Sequence, residues 1–364
     1  MYWLYYINTC FIFELIYAAG KERTSHAMLK YDRQKQIESV RGALALRGEI
    51  EEIVDKIYDE GFDGVYFLGI GGTLASCMQV EVHTRGKSVL PVFAESAAEY
   101  LTTGNRRITG HSVIIFSSVT GSTIEIVKAV GELKVLGCRI FGFIDNGGAE
   151  LAKSCDFCIT YPVNEQLKFY MAANRFMERN GEFPDYDRYN AEMEQYLPEA
   201  LCDAEELADT FGEKFAAEKL AYLREHPEMP HYFIGCGNEW GAAYSYGMCY
   251  WEEQLWLRTK TVSASEFFHG TLEIIDRDTP VTLFIGEDEQ RPLAERVAAF
   301  LPKVCGHITI IDTKDYLLAG ISPEFRGSIS HLVMRVVNNR IDVHLEQLLH
   351  HPMQIRRYYR QFDY

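Results

Sequence analysis

The stretch from Ser112 to Val130, SVIIFSSVTGSTIEIVKAV, constrains this chain more than any other. Val113, Ile114, Ile115 and Phe116 make a short apolar run rich in β-branched residues, as a strand buried on both faces of a parallel sheet requires. The run stops at Ser117, Ser118, Thr120, Gly121, Ser122 and Thr123, all small or hydroxyl-bearing. Ile124, Val127 and Val130 then recur at helical spacing, with Glu125 near the helix start. The order is strand, hydroxyl-rich turn, helix. Such a turn presents backbone N–H groups and side-chain hydroxyls at a helix N-terminus, where the dipole favours an anion. The turn has no Lys and the chain lacks G-x-x-x-x-G-K-[ST] there, so one compact phosphate suits it better than a nucleoside triphosphate. The competing reading is an ordinary Ser/Thr-capped turn.

A second glycine turn precedes it. Ile50, Ile53, Val54, Ile57 and Tyr58 share one helical face, which Gly61 closes. Val65 to Leu68 then reads as a buried strand running into Gly69-Ile70-Gly71-Gly72-Thr73 and another helix. The dinucleotide pattern G-x-G-x-x-G is not met, and no acidic residue ends the next strand, read at Pro91–Ala94. Arg139–Ile144 and Phe157–Tyr161 supply further strands. Strands alternating with helices predict an α/β parallel sheet, with ligands at the carboxyl ends of the strands. Both turns lie at such ends.

Residues 162–228 read as helices, with Pro198 breaking the span from Asn190 to His226. The strand–turn–helix pattern then repeats. His231–Ile234 leads into Gly235-Cys236-Gly237-Asn238 and a long helix, roughly Trp240–Leu257. Val281–Ile285 and Ile308–Ile311 are strands either side of a helix at Leu293–Leu301. The expected organisation is two similar α/β subdomains from one duplicated unit, each a parallel sheet flanked by helices. They span residues 28–185 and 229–364, joined by a helical connector at 186–228. The second-half counterpart of the hydroxyl turn is Gly286-Glu287-Asp288-Glu289, which is acidic and would repel phosphate. Residues 1–27, aromatic-rich and ahead of Met28, are read as lying outside the fold, and neither a secretory signal nor a spanning helix suits them well.

With 364 residues, 47% of them hydrophobic and 24% charged, the chain has the make-up of a globular protein large enough for two lobes. A net charge of −16 excludes a sequence-independent grip on nucleic acid. Nine irregularly spaced cysteines suggest reduced thiols and a cytoplasmic location rather than a disulfide framework. The one CxxC, Cys155 to Cys158, has no second pair or His at ligand spacing, so a metal site is not expected.

Chemistry is expected between Trp251 and Ile275, WEEQLWLRTKTVSASEFFHGTLEII. Glu253 lies on the helix after the second-half glycine turn, and His269 follows sixteen residues later. A carboxylate and an imidazole from separate elements can serve as base and acid near neutral pH. On spacing alone, a solvated helix carboxylate and a satisfied loop histidine are the simpler account.

The two glycine turns, SSVTGSTIE and Glu253…SEFFHG together resemble the sugar isomerase (SIS) family, over roughly residues 35–364. The resemblance implies phosphate contacts from Ser118, Thr120, Gly121, Ser122 and Thr123, and sugar contacts from Gly71, Gly72 and Thr73. It implies Glu253 and His269 as the catalytic pair. It also implies a homodimer in which the histidine reaches the neighbouring subunit's site. Within the family, SASEFFHGTLEII and the ending Arg356-Arg357-Tyr358-Tyr359…Tyr364 are similar to the fructosamine-6-phosphate deglycases. Thr271 departs from their usual Pro, and Phe268 from a basic residue, differences that bear on substrate detail more than on reaction type. The implied reaction converts a fructosamine 6-phosphate, such as fructoselysine 6-phosphate, to glucose 6-phosphate and a free amine. It needs no cofactor, nucleic acid or membrane. An aldose–ketose isomerase, an amino-sugar-phosphate deaminase and a non-catalytic phosphosugar sensor are the alternatives. Arg356 and Arg357 suit a subunit interface or a substrate carboxylate.

Overall fold

The computed structural model describes residues 28–361. The expectation for residues 1–27 lies outside them. Helices α1 (Arg33–Leu44) and α2 (Arg47–Glu60) lead into β1 (Val65–Gly69). Then come α3 (Gly72–Arg85), β2 (Val92–Ser96), α4 (Ala97–Thr103), β3 (Val113–Ser118), α5 (Ile124–Leu136), β4 (Arg139–Ile144) and β5 (Phe157–Ile159). Two long helices follow, α6 (Glu165–Arg179) and α7 (Tyr186–Glu225). The second half runs β6 (His231–Gly235), α8 (Asn238–Ser245), β7 (Thr259–Ser263), β8 (Pro280–Ile285), α9 (Arg291–Phe300), β9 (His307–Asp312) and α10 (Ser330–Leu349).

The strands form two parallel sheets, in the orders β2-β1-β3-β4-β5 and β7-β6-β8-β9. The order reverses between β1 and β3, and again between β6 and β8, so each sheet has a switch point at which ligand crevices open. Every residue of β1, β3, β6 and β8 is buried, which explains their unbroken apolar runs. The likeness of the halves reaches individual torsions. Gly71 (φ 57°, ψ −128°) precedes α3, and Gly237 (φ 57°, ψ −133°) precedes α8, in nearly the same backbone conformation. Helices α3 and α8 meet between the sheets. A Cβ on Gly241 would lie 2.7 Å from the Ala75 carbonyl oxygen, so only glycine permits this approach.

Four sequence expectations are corrected. Pro198 does not break its helix: α7 runs through it for 40 residues. Proline costs a helix interior about 3 kcal/mol, and packing outweighs that here, because Leu197, Ala200 and Leu201 are buried in the main core. Farther along α7, Asp209 accepts from Arg340 Nε and contacts His344 Nε2, both at 2.9 Å, fastening α7 to α10. The helix expected over Trp240–Leu257 is interrupted. After α8 it widens into a π-helical segment, Tyr246–Glu252, and the chain then forms β7, a strand the sequence reading did not include. On α5 the buried face is Ile126, Ala129, Val130 and Leu133, whereas Ile124 and Val127 are 65% and 42% exposed. Last, β2 extends to Ser96, so Glu95 does lie near the end of that strand, accepting from Asn105 Nδ2 at 2.7 Å.

Among the described residues no helix is long and apolar enough to cross a membrane. Cys158 lies on β5, an edge strand, and burial pushes the neighbouring Cys155 thiol up to about 12.

Candidate active site

The hydroxyl turn opens at the carboxyl end of β3, beside the glycine turn that ends β1, at the switch point of the first sheet. Ser118 is buried and its Oγ accepts from the Gly121 amide at 3.0 Å. Thr120 Oγ1 accepts from the Ser122 amide at 3.3 Å and from Ser122 Oγ at 2.9 Å. Thr123 stands at the N-cap position of α5 but makes no side-chain capping bond, so its hydroxyl is not spent on the helix end. Gly121 is buried, Thr120 and Ser122 are exposed and Thr123 is half-buried. The turn therefore faces outward with hydroxyl donors on a helix N-terminus, as an anion site requires. The C-terminal tail reaches it too, with Arg360 Nη2 3.5 Å from Thr120 Oγ1.

The second half has no such opening. Asp288 turns back onto the Gly237 turn, accepting from the Asn238 amide and from the Gln290 amide, both at 2.9 Å. Its Oδ1 lies 2.1 Å from where a Gly237 Cβ would stand. Burial pushes its carboxyl above the usual range. Glu287 is held by Arg326 in a two-point pair, Nε at 2.9 Å and Nη2 at 2.8 Å from Oε1.

Between the halves lies a cleft of about 350 Å³. From the first half it is lined by Gly72, Thr73, Val119 and Glu165, from the second by Cys249, Tyr250 and Glu253, and from α10 by His331, Arg335 and Asn338. Thr73 Oγ1 donates to Glu165 Oε2 at 2.9 Å. The Glu253 amide bonds the Met248 carbonyl five residues back at 3.0 Å, the spacing of a π-turn. Glu253 lines the cleft and also a neighbouring hollow with Trp256, Arg356 and Arg357, and on that side its Oε1 meets Arg356 Nε at 2.7 Å. Arg357 lies over the Trp256 ring at 4.4 Å. Thus Arg356, whose role the sequence left open, pairs with Glu253 within one chain.

His269 stands apart. It ends a 3₁₀ turn, Phe267–His269, is exposed and is not among the cleft-lining residues. Of the expected site residues the cleft gathers Gly72, Thr73 and Glu253, with the hydroxyl turn reaching its lining only through Val119; Gly71, Ser118, Thr120, Gly121, Ser122, Thr123 and His269 are not among the lining residues.

Sequence reasoning missed the α6 and α10 residues. Glu165 begins α6 and carries no motif. His331 is buried, stacks on Tyr170 at 4.4 Å between ring centroids, and has no hydrogen-bond partner at either ring nitrogen. Burial and then the Arg335 charge push its imidazole down to about 3, so it is neutral near pH 7. Beneath the cleft Tyr246 donates to Asp342 at 2.9 Å, and burial pushes that carboxyl up to about 8. Among the described residues no group of three or more His, Cys, Asp or Glu side chains is arranged to hold a metal ion.

Two like parallel sheets with a ligand crevice between them define a two-lobed SIS-type α/β protein. Residues 57–175 match the model of the SIS domain. It is similar to fructosamine deglycase FrlB of Bacillus subtilis, with 24% identity over 328 residues, covering 87% of this chain and 97% of the relative. It is 24% identical to the fructoselysine 6-phosphate deglycase of Escherichia coli O157:H7, covering 85% of this chain and 89% of that one. Its fold is similar to a Bacillus subtilis structure described as a candidate phosphosugar isomerase, with a TM-score of 0.80, 24% identity, and coverage of 89% of this chain and 99% of that one.

If the hydroxyl turn holds a substrate phosphate, Thr120→Val and Thr123→Val each weaken binding by roughly 1.5–3 kcal/mol, the worth of a hydrogen bond to a charged group. The readout is KM for a phosphosugar substrate. An unchanged KM and kcat in both variants removes this turn as the phosphate site.

Proposed function

We propose that the protein is a deglycase that splits a fructosamine 6-phosphate into glucose 6-phosphate and a free amine. The observation that carries this is the meeting of Thr73 and the hydroxyl turn's edge with Glu253 in one cleft. That arrangement can hold a sugar phosphate by its anion and set a carboxylate against the far end of the sugar. The deglycases named among the similar proteins support the same substrate class.

The substrate's carbonyl is at C2 and its nitrogen is on C1. After the ring opens, Glu253 takes a proton from C1 to give a 1,2-enaminol. Reprotonation at C2 leaves an imine at C1, and water hydrolyses it to the aldose and the amine. Arg356 holds Glu253 through Oε1, leaving the second carboxylate oxygen for the substrate. The protein acts as a homodimer in which the partner's His269 completes each site and protonates the ring oxygen during opening. The exposed position of His269, outside its own chain's cleft, supports this.

The test is a panel of fructosamine 6-phosphates assayed for glucose 6-phosphate and amine release. Release of both from at least one member is expected. Exchange of simple ketose and aldose phosphates, with no amine released from any fructosamine, would replace this reading with an isomerase.

A further inference from the structure

We infer that Asp342 on α10 is a positioning residue: through Tyr246 it holds the π-helical register that aims Glu253. The inference rests on Glu253 being the base of the proposed reaction. Glu253 follows the segment Tyr246–Glu252, which is wound wider than the α-helix leading into it. The amides of Glu253 and Leu255 both bond carbonyls five residues back, Met248 at 3.0 Å and Tyr250 at 2.9 Å. Each residue of a regular α-helix turns the chain by about 100°. Rewinding the segment by one residue would swing everything after it by that amount and carry Glu253 off its present heading. Such wide turns are rare and frequent at functional sites, so tertiary contacts have to hold this one.

Three contacts do so. Trp251 is fully buried, its ring centroid 4.9 Å from that of Phe233 and 4.8 Å from that of His231. Gly247 lies so close to β7 that a Cβ would stand 2.4 Å from Thr261 Cγ2. Tyr246, the first residue of the segment, donates to Asp342 at 2.9 Å, and both side chains are buried. Apolar packing is non-directional, whereas this hydrogen bond ties one atom of the segment to one atom of α10. Losing it would leave a buried polar group unpaired, which makes the tie costly to break. Asp342 is not among the cleft-lining residues, so its effect on turnover passes through Tyr246. Burial pushes its carboxyl up to about 8, so it is mostly protonated at pH 7. An amide therefore copies its size, its neutrality and its acceptor oxygen.

Two substitutions of Asp342 in the full chain test this, with a fructosamine 6-phosphate that the wild type turns over. Asp342→Leu removes the acceptor and is expected to lower kcat by roughly 10- to 100-fold, with KM within about twofold, as a misplaced base does. Asp342→Asn keeps the acceptor and should retain most of the wild-type kcat at pH 7. Substrate carrying deuterium at both C1 positions separates aim from stability. A misaimed base makes proton abstraction the slow step, so Asp342→Leu should show a full primary isotope effect on kcat. Circular dichroism checks folding, and if Asp342→Leu does not fold, Tyr246→Phe deletes the same bond with the ring in place. A folded bond-deleting variant with wild-type kcat overturns the inference. So does an equal loss in the Leu and Asn variants, or a loss with an isotope effect near one. Glu253→Gln run alongside keeps two failures apart. If it stays active, the base assignment falls and this inference with it. If it is inactive while Asp342→Leu behaves as wild type, only the inference falls.

Discussion

Glu253→Gln is expected to lower kcat by roughly 100- to 10,000-fold, the usual contribution of a positioned general base, while KM changes little. The amide keeps the shape of the side chain and can still accept from Arg356 Nε, so the tail stays seated. It cannot take the C1 proton. Glu253 is half-buried, and the amide keeps its size and its contact with Arg356, which makes a folding defect a poor explanation for lost turnover. In the wild-type reaction run in deuterium oxide, C2 of glucose 6-phosphate should acquire deuterium, since the enaminol is reprotonated there. Retention of more than a tenth of wild-type kcat in the variant would show that another group abstracts the proton.

The second large effect is a rescue. Glu253→Ala and His269→Ala should each be nearly inactive as pure proteins. If each site combines Glu253 of one chain with the partner's His269, a mixed dimer carries both lesions in one site and none in the other. Equal amounts denatured and refolded together give about half mixed dimers, so roughly a quarter of wild-type activity should return. A site built within one chain predicts no recovery at all. Mixed dimers demonstrated by mass, with activity no higher than either parent, would assign Glu253 a partner from its own subunit.

How much of this was legible depended on sequence distance. The β3–turn–α5 unit and the glycine turn after β1 were plain, because a buried parallel strand is a continuous apolar run and its exit turn is adjacent. The π-segment was not. A widened turn uses the same residue types as a regular helix, so Tyr246–Glu252 read as more of the same. Strand β7, Thr259–Ser263, is mostly polar and edges its sheet, so it lacks the apolar run by which the other strands were read. The face of α5 was misassigned because Ile124 and Val127 are apolar yet exposed beside the hydroxyl turn. The Glu253–His269 spacing was visible, but where His269 stands relative to Glu253 is a matter of tertiary placement. Glu165, His331 and Arg335 come from helices far apart in the chain and belong to no local pattern. Only the folded cleft gathers them.

The carboxylate of Asp288 has a consequence for how many molecules one chain can hold. In the second lobe the glycine-turn amide of Asn238 is already satisfied by a covalently attached anion, supplied at effectively infinite concentration as the chain folds. The corresponding crevice of the first lobe has no such internal substitute. The lobes share one glycine-turn conformation, closed from within by Asp288 in the second, so on the proposed reading the phosphosugar would bind once per chain, in the first. A metabolite that occupies the open turn adds its binding energy to the folded state alone. If the proposed phosphosugar binds there, the first lobe would gain stability from it, whereas the second carries its own anion.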